Sequence, residues 1–241
     1  MKLAAALAAL SVVLAGRAAT AAPTAFSTDG EATVYLRGDF RGDFELVYDA
    51  QMRVMPENAS WSVLNVSLLG GPPPSDAVTI GIFPVAGHVH VFTSFTQRSK
   101  TVFRDTGIVC EPRCRIALHG SASALVGSAA GRAVGSWPRF ALRAPMPAVQ
   151  LNAETSAPGD RLDATLSAVR TAAHGRALAR PACAFTTRGI EVRFAPDGTL
   201  HYAGAYRDDA RTAYFSLAEP LAAKETCGAS ERATLDGSHS R

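Results

Sequence analysis

Two histidines separated by one residue form the clearest metal-binding pattern in the chain. Gly87-His88-Val89-His90-Val91 places His88 and His90 on one face of a predicted strand, about 7 Å apart at ~3.3 Å per residue. Such a pair can give two ligands to one Zn²⁺, with a third from His119, His201 or a carboxylate. The alternative is two half-exposed histidines on the outer face of a sheet.

A second candidate is the oxygen-rich segment around Asn152 and Glu154, which share one face of a predicted strand and precede Asp160 and Asp163. Clustered hard oxygens can bind Ca²⁺, or they can bind sugar hydroxyls. The structural alternative is a hydrogen-bonded hairpin end. Apart from these two metal hypotheses, Zn²⁺ and Ca²⁺, we expect no cofactor.

Aromatic side chains supply the third candidate chemistry, because an exposed ring can stack on the face of a pyranose. Trp61, Trp137 and Tyr202 are the candidates, and with Asn152 and Glu154 they make up the predicted ligand-binding set. Their alternative role is to fill the core, where aromatic residues are commonly found. No catalytic residue is predicted, since the sequence has no G-x-S-x-G nucleophile elbow.

The four cysteines predict two disulfides, provided that the chain reaches an oxidising compartment. Cys110 and Cys114 flank a turn-like Glu-Pro-Arg insert and could close it, which leaves Cys183 and Cys227 to hold the C-terminal segment. Three pairings remain open on the sequence alone.

The N-terminus predicts export. Lys2 is followed by the apolar run 3–15 and by Ala19-Thr20-Ala21, a small-x-small cleavage pattern, so residues 1–21 form a predicted signal peptide of bacterial type. We expect the mature chain to be periplasmic or extracellular, with one domain over residues 22–227 and a disordered tail over 228–241. No later apolar stretch is long enough to span a membrane.

Net charge argues against a nucleic-acid partner. The formal charge is +3, and it falls to +1 without the signal peptide, which contains Lys2 and Arg17 but no acid. The basic residues are scattered singly among acids rather than arranged in a stripe that could follow a row of phosphates.

The pattern along the chain predicts an all-β fold. Short runs of β-branched and aromatic residues alternate with Gly, Pro, Asn and Asp clusters, as in a sandwich or barrel. Apolar residues alternate with polar ones through residues 44–54, which predicts a half-buried strand. Pro196-Asp197-Gly198 predicts a hairpin turn, whereas residues 122–135 could form a loop, a weak strand or a helical turn.

A doubled Arg-Gly-Asp-Phe, at residues 37–40 and 41–44, resembles an adhesion motif. An adhesion motif must lie at the tip of an exposed loop, but the second copy directly abuts the predicted strand at Phe44. Gly-Asp turns leading into a strand explain both copies, so we favour turn formation over receptor binding.

Four segments, "GDFELVYDAQMRV", "SWSVLNVSLLGG", "AVTIGIF" and "PAVQLNAETSAPGDRLDATL", together resemble the concanavalin A-like lectin and glucanase superfamily over residues 39–169. This resemblance implies an antiparallel two-sheet jelly-roll-like sandwich. Glucanases of the superfamily carry an E-x-D-x-x-E strand for two-carboxylate hydrolysis, which this chain lacks; its nearest pair, Glu45 and Asp49, has neither the partner nor the spacing.

The sequence therefore favours an exported, disulfide-stapled single-domain sandwich that binds a glycan or surface polymer without catalysis. One alternative is a carbohydrate-active hydrolase or lyase whose site is assembled from dispersed residues. The other is a structural cell-envelope or adhesion protein that uses a sheet edge.

Overall fold

The computed structural model describes residues 30–37, 40–70, 76–142, 149–173, 176–177, 180–209 and 213–216. The expected signal peptide, the expected tail and Cys227 lie outside these residues. The described residues form sixteen strands: β1 (Gly30–Arg37), β2 (Phe44–Met52), β3 (Ser62–Leu69), β4 (Ala77–Val85), β5 (His88–Gln97), β6 (Lys100–Val109), β7 (Cys114–Gly120), β8 (Ala124–Ala129), β9 (Arg132–Pro138), β10 (Val149–Thr155), β11 (Arg161–Ala173), β12 (Arg176–Ala177), β13 (Arg180–Thr187), β14 (Ile190–Phe194), β15 (Leu200–Ala205) and β16 (Ala213–Ser216).

The strands form two antiparallel sheets, which confirms the predicted all-β sandwich. Sheet A has the order β16-β13-β1-β10-β3-β4-β5-β6, and sheet B has the order β14-β15-β11-β2-β7-β8-β9 with β12 paired to β11. Strands far apart in sequence are neighbours, since β10 lies between β1 and β3. Among the described residues, no helix has the length and apolar character needed to cross a bilayer.

The core lies between the two sheets. Alternating side chains of β2 point into it, as the sequence pattern predicted, and Leu46, Tyr48 and Ala50 are almost fully buried. Sheet A contributes residues such as Leu64 and Leu151 from the facing side. The predicted alternation over residues 44–54 thus corresponds to one buried and one solvent-facing side of β2.

Two buried tyrosines of sheet B bind carbonyls of sheet A. The Tyr48 hydroxyl donates to the Ile80 carbonyl at 2.8 Å, and the Tyr202 hydroxyl donates to the Leu151 carbonyl at 3.2 Å. Burial raises the pKa of both phenols, because the charged form would lose its hydration. The hydroxyls therefore remain donors that connect the sheets through the core.

The Cys110–Cys114 disulfide closes the crossing from sheet A to sheet B, where β6 ends and β7 begins. The two Cα atoms are 5.1 Å apart, and the Cys110 N–H donates to the Val89 carbonyl at 2.7 Å. The predicted turn-closing disulfide is confirmed. Cys183 lies on β13, but its predicted partner lies outside the described residues.

The second Arg-Gly-Asp-Phe copy leads into β2. Phe40 and Phe44, which end the two copies, are buried and pack edge to face with their ring centroids 5.4 Å apart. Arg139 donates to the carbonyl of Phe40 and, at 3.4 Å, to that of Gly42, and its guanidinium lies 5.0 Å from the Phe44 centroid. These contacts fix the segment to the body of the sandwich.

Two further segments of the chain form β-hairpins. The predicted turn at 196–198 joins β14 to β15, with Gly198 at φ 84° and the Ala195 N–H bonded to the Thr199 carbonyl at 2.8 Å. The undecided segment 122–135 forms most of the β8–β9 hairpin.

Candidate functional site

The candidate site lies on the side of sheet A that points away from the core, which we call the outward face. Side chains along a strand alternate between the two faces of a sheet. The residues that precede and follow the core residues Val34, Leu151 and Val66 in sequence therefore point to the outward face. Register aligns those neighbours in two rows across β1, β10, β3, β4, β5 and β6. The first row is Thr33, Asn152, Asn65, Gly81, Phe92 and Asp105, and the second is Tyr35, Gln150, Ser67, Thr79, Ser94 and Phe103.

Polar side chains on the central strands of the outward face are buried although they do not face the core. Thr33 is 0% exposed, Glu31 3% and Asn152 5%. Burial of a polar group costs free energy unless it is hydrogen-bonded, and these three contact one another. Thr33 Oγ1 lies 2.9 Å from Glu31 Oε1 and 2.6 Å from Asn152 Oδ1.

The contacts continue along the rows. Asn152 Nδ2 donates to Glu154 Oε2 at 3.1 Å, so the predicted pair on β10 does lie together. On the next strands, Ser67 Oγ lies 3.4 Å from Asn65 Oδ1 and 2.8 Å from Thr79 Oγ1. The outward face therefore carries a band of hydroxyl, amide and carboxyl groups held in place by neighbouring strands.

Gly81 interrupts the first row and makes room for an aromatic ring. A Cβ built on Gly81 would lie 2.5 Å from the Leu64 carbonyl oxygen and 2.7 Å from Cε1 of Phe92. The Phe92 ring from the next strand occupies the space that a side chain would need, which leaves Phe92 only 4% exposed.

Three phenylalanines form an aromatic group at the β4–β6 end of the outward face. Phe92 and Phe103 stack with centroids 5.1 Å apart, and Phe83 meets them edge to face at 5.6 and 5.5 Å. Phe103 is 54% exposed because β6 ends the described strand order of sheet A. Its ring is accessible to a ligand.

The two predicted metal-binding histidines share the outward face, as expected, but each contacts its own carboxylate. His88 Nδ1 lies 3.0 Å from Glu111 Oε1, and His90 Nδ1 lies 3.0 Å from Asp105 Oδ2. Burial acts to raise the pKa of Asp105, but hydrogen bonds from the Gly107 N–H and from His90 outweigh it and hold that pKa below its usual value.

In the part of the chain that the structure describes, no third ligand lies near this pair of histidines. No three His, Cys, Asp or Glu residues are grouped there as a metal site would require. His119 and His201, the suggested third ligands, lie on β7 and β15 of the other sheet. His119 lies beside Glu45, and His201 lies beside Thr165.

The predicted aromatic ligands occupy three different environments. Trp61 directly precedes β3 and is 48% exposed. Side chains alternate along a strand, so Trp61, like Asn65, belongs to the outward face, and it lies at the edge of that face. Trp137 lies on β9 of sheet B, partly buried over Gly135. Tyr202 is 0% exposed and offers no ring surface to a ligand, because its side chain is part of the core. Of Trp61 and Tyr202, the exposed and the buried extreme, only Trp61 presents its ring to solvent, and it precedes β3, the strand that pairs with the one carrying Asn152 and Glu154.

Asp160 does not join the oxygen cluster predicted around Asn152. Its carboxylate accepts from the Ala59 N–H at 2.7 Å, from the Ser60 N–H at 2.9 Å and from the Ser60 hydroxyl. Burial acts to raise its pKa, but the hydrogen bonds from Ser60 and Ala59 outweigh that effect and lower it. Asp160 thus holds the loop that precedes Trp61, which agrees with the structural alternative of a hydrogen-bonded hairpin end.

Sequence reasoning missed most of the outward face. Glu31 and Thr33 alternate with core residues in β1, as do Asn65 and Ser67 in β3, so each strand carried a period-two signal. That signal separates two faces, but it does not say which strands are neighbours. The rows depend on strand order and register, which distant parts of the chain determine.

No protein-family model and no curated protein matches this sequence. Solved structures that resemble the chain include sheep galectin-11 in complex with glycerol, at 13% identity and TM-score 0.38 over 58% of this chain and 97% of that one. An alginate lyase from Pseudomonas aeruginosa shares 16% identity at TM-score 0.42 over 55% and 65%.

A third similar structure is SCP-B, an eqolisin-family peptidase in complex with a tripeptide, at 9% identity and TM-score 0.46 over 74% of this chain and 98% of that one. All three similarities are distant, and they carry no argument about what this chain binds or converts. The described strands themselves establish the all-β antiparallel two-sheet architecture.

Proposed function

We propose that this chain is an exported β-sandwich module that binds a glycan or another surface polymer, without catalysis, on the outward face of sheet A. The observation that carries the proposal is the row of partly exposed polar side chains Gln150, Thr79 and Ser94, which register aligns on this face, together with the exposed rings of Trp61 and Phe103 at its borders.

These groups match the chemistry of a sugar. The polar edge of a pyranose presents hydroxyls that pair with amides, carboxylates and other hydroxyls, whereas its C–H face packs against an aromatic ring. At a strand spacing of ~4.8 Å, rows that cross six strands are about 24 Å long. Rows of this length favour an extended polymer over a single sugar as the ligand.

The proposed location is the periplasm or the exterior of the cell. The disulfide between Cys110 and Cys114 supports this, because such bonds persist in oxidising compartments. The predicted signal peptide at residues 1–21 points the same way.

The test is a glycan array probed with the folded, oxidised chain from residue 22 onward, with and without EDTA. Trp61→Ala and Phe103→Ala are each expected to weaken binding at least about tenfold by removing a stacking ring. Val126→Ala is the matched control, since Val126 is 41% exposed but lies on β8 of sheet B. Equal binding by all three variants, or no binding by the folded parent chain, would refute the proposal.

A hydrolase is a second candidate, favoured by the position of two carboxyl groups. Glu31 and Glu154 are direct cross-strand partners between β1 and β10, and hydrolysis of a glycosidic bond commonly uses two carboxyl groups. Release of reducing ends from a bound polysaccharide, lost in Glu154→Gln while binding persists, would support it. Binding without turnover would support the non-catalytic module.

A further inference from the structure

Strand β6 is an exposed edge of sheet A. It stands last in the described strand order, and the side chains of residues 100–105 are all exposed. Three of the five large apolar side chains that are exposed among the described residues lie on this strand, namely Val102, Phe103 and Val109. Exposed apolar side chains that cluster on one element indicate an interaction surface, and an edge strand can accept a further strand through its backbone groups.

The turn before β6 determines which of its backbone groups point away from the sheet. Residues 98–99 join β5 to β6 with positive φ angles of 49° and 64°, as in a two-residue type I′ hairpin. The residues that flank such a turn, here Gln97 and Lys100, form a hydrogen-bonded pair, and such pairs recur at every second residue. The N–H and C=O groups that point to the free edge therefore belong to the alternating residues Thr101, Phe103 and Asp105.

A second copy of the chain can supply the next strand. Two copies related by a two-fold axis perpendicular to the sheet run antiparallel at their shared edge, and each contributes the same surface. The outward faces of both copies then lie on the same side of the joint sheet. Every register of this kind is centred on one residue, which lies opposite its own copy.

Charge excludes most of these registers. Registers centred on Lys100, Arg104 or Asp105 place two identical charges directly opposite each other, and like charges in that position destabilise a strand pair. A register centred on Val102 places Lys100 opposite the partner's Arg104. A register centred on Thr101 overlaps the two strands only at their first residues.

We propose that two copies of this chain associate by antiparallel pairing of their β6 strands in the register centred on Phe103. Thr101 of each copy then lies opposite the partner's Asp105, and Val102 lies opposite the aliphatic stem of the partner's Arg104. The three residues whose backbone groups point to the free edge pair with one another, which gives about six backbone hydrogen bonds between the copies.

The pairing joins two eight-stranded A sheets into one continuous sheet. It does not depend on the proposed glycan binding, although it would place two outward faces side by side. The bulge that follows Asp105 ends the regular pairing and keeps the shared segment short. Because small interfaces give weak complexes, we expect a dissociation constant of roughly 10–100 μM.

The first measurement is sedimentation equilibrium of the folded, oxidised chain from residue 22 onward, without any glycan. Concentrations from about 1 μM to about 1 mM bracket the expected dissociation constant. We expect a monomer at the low end of this range and a dimer at the high end.

Substitutions at Thr101 test the register, because this residue lies opposite the partner's Asp105 in both halves of the dimer. Thr101→Lys should tighten the dimer about fivefold, and Thr101→Glu should weaken it about tenfold. Ser123→Lys and Ser123→Glu are the matched controls, since they make the same changes in net charge at an exposed residue between β7 and β8. They should leave the dissociation constant within about twofold of the parent value.

Amide hydrogen exchange gives a second readout that needs no variant. The N–H groups of Thr101, Phe103 and Asp105 point to the free edge, so they should exchange about fivefold more slowly at the highest concentration than at the lowest. The N–H groups of Val102 and Arg104 donate to β5 in the monomer, so their exchange should not depend on concentration.

The parent chain alone can overturn the proposal. A chain that stays monomeric up to about 1 mM would do so. A dimer whose edge amides exchange at the same rate at all concentrations would also do so, because it would form through another surface. Equal shifts of the dissociation constant in Thr101→Lys and Thr101→Glu would refute the register.

Discussion

At the β1–β10 end of the outward face, Glu31, Thr33 and Asn152 are buried and bind one another, whereas at the β5–β6 end His90, Asp105 and Phe103 are partly or largely open to solvent. Both ends belong to the same side of the same sheet. The strands β1 and β10 each have a neighbouring strand on both sides, and their outward-facing polar side chains form hydrogen bonds with one another. The edge strand leaves its side chains available to an external ligand.

The aromatic group allows this comparison to be tested within one pair of stacked rings. Phe92→Ala should destabilise the fold by about 3–4 kcal/mol, because it removes a buried ring that also covers Gly81. Phe103→Ala should change the free energy of unfolding by less than about 0.5 kcal/mol, since its ring is largely exposed. Urea denaturation of both variants measures the difference, and equal losses would contradict the assignment of interior and edge.

A substitution at Gly81 tests how tightly the middle of the first row is packed. Gly81→Ala should cost about 2–3 kcal/mol, because the added Cβ meets the backbone oxygen of Leu64 as well as the ring of Phe92. Gly127→Ala is the control, since its nearest neighbour is the flexible end of the Ile80 side chain. Thermal unfolding should show the smaller shift for that variant.

Loss of one hydroxyl should lower the free energy of unfolding much more at the buried end of the outward face than at its edge. Thr33→Val should destabilise the chain by about 2 kcal/mol, because it removes a buried group that contacts both Glu31 and Asn152. Thr101→Val removes the hydroxyl that pairs with Thr96 on the exposed edge and should cost only a few tenths of a kcal/mol. A larger loss of stability in Thr101→Val than in Thr33→Val, measured by chemical denaturation, would contradict the difference between the buried end and the exposed edge.

The smallest expected effect concerns Asp160, which supports the loop before Trp61. Its pKa is lowered from 3.8 in the folded chain, so its contribution is complete above that pH and is lost as the pH falls through the lower, folded value. Asp160→Asn should lower the free energy of unfolding by about 1 kcal/mol at neutral pH. The free energy of unfolding of this variant should also fall less steeply as the pH is lowered. The same change at Asp163, which is exposed, should leave the slope intact.

The sequence predicted elements whose signals are local. Alternation identified β2, the Pro-Asp-Gly turn identified the β14–β15 hairpin, and the spacing of Cys110 and Cys114 suggested the disulfide that the structure contains. Residues 122–135 remained undecided because Ala, Gly and Ser favour strands weakly, and their pairing as a hairpin depends on packing against the rest of sheet B.

The candidate site was only partly predictable, because its residues come together through long-range pairing. Asn152 and Glu154 were found from their position on one strand, but Thr33 is 119 residues away from Asn152 in sequence. An aromatic residue type does not distinguish the exposed Trp61 from the fully buried Tyr202. Only the register between strands separates the two cases.

The tyrosines that connect the sheets give the protein an internal optical reporter. Tyr48 and Tyr202 are fully buried donors to carbonyls of the opposite sheet, and burial raises the pKa of both. At alkaline pH their phenols would ionise only after the sheets part and water enters. The near-ultraviolet absorbance of phenolate would then rise together with separation of the sandwich, so the opening of its two halves could be followed without any attached dye.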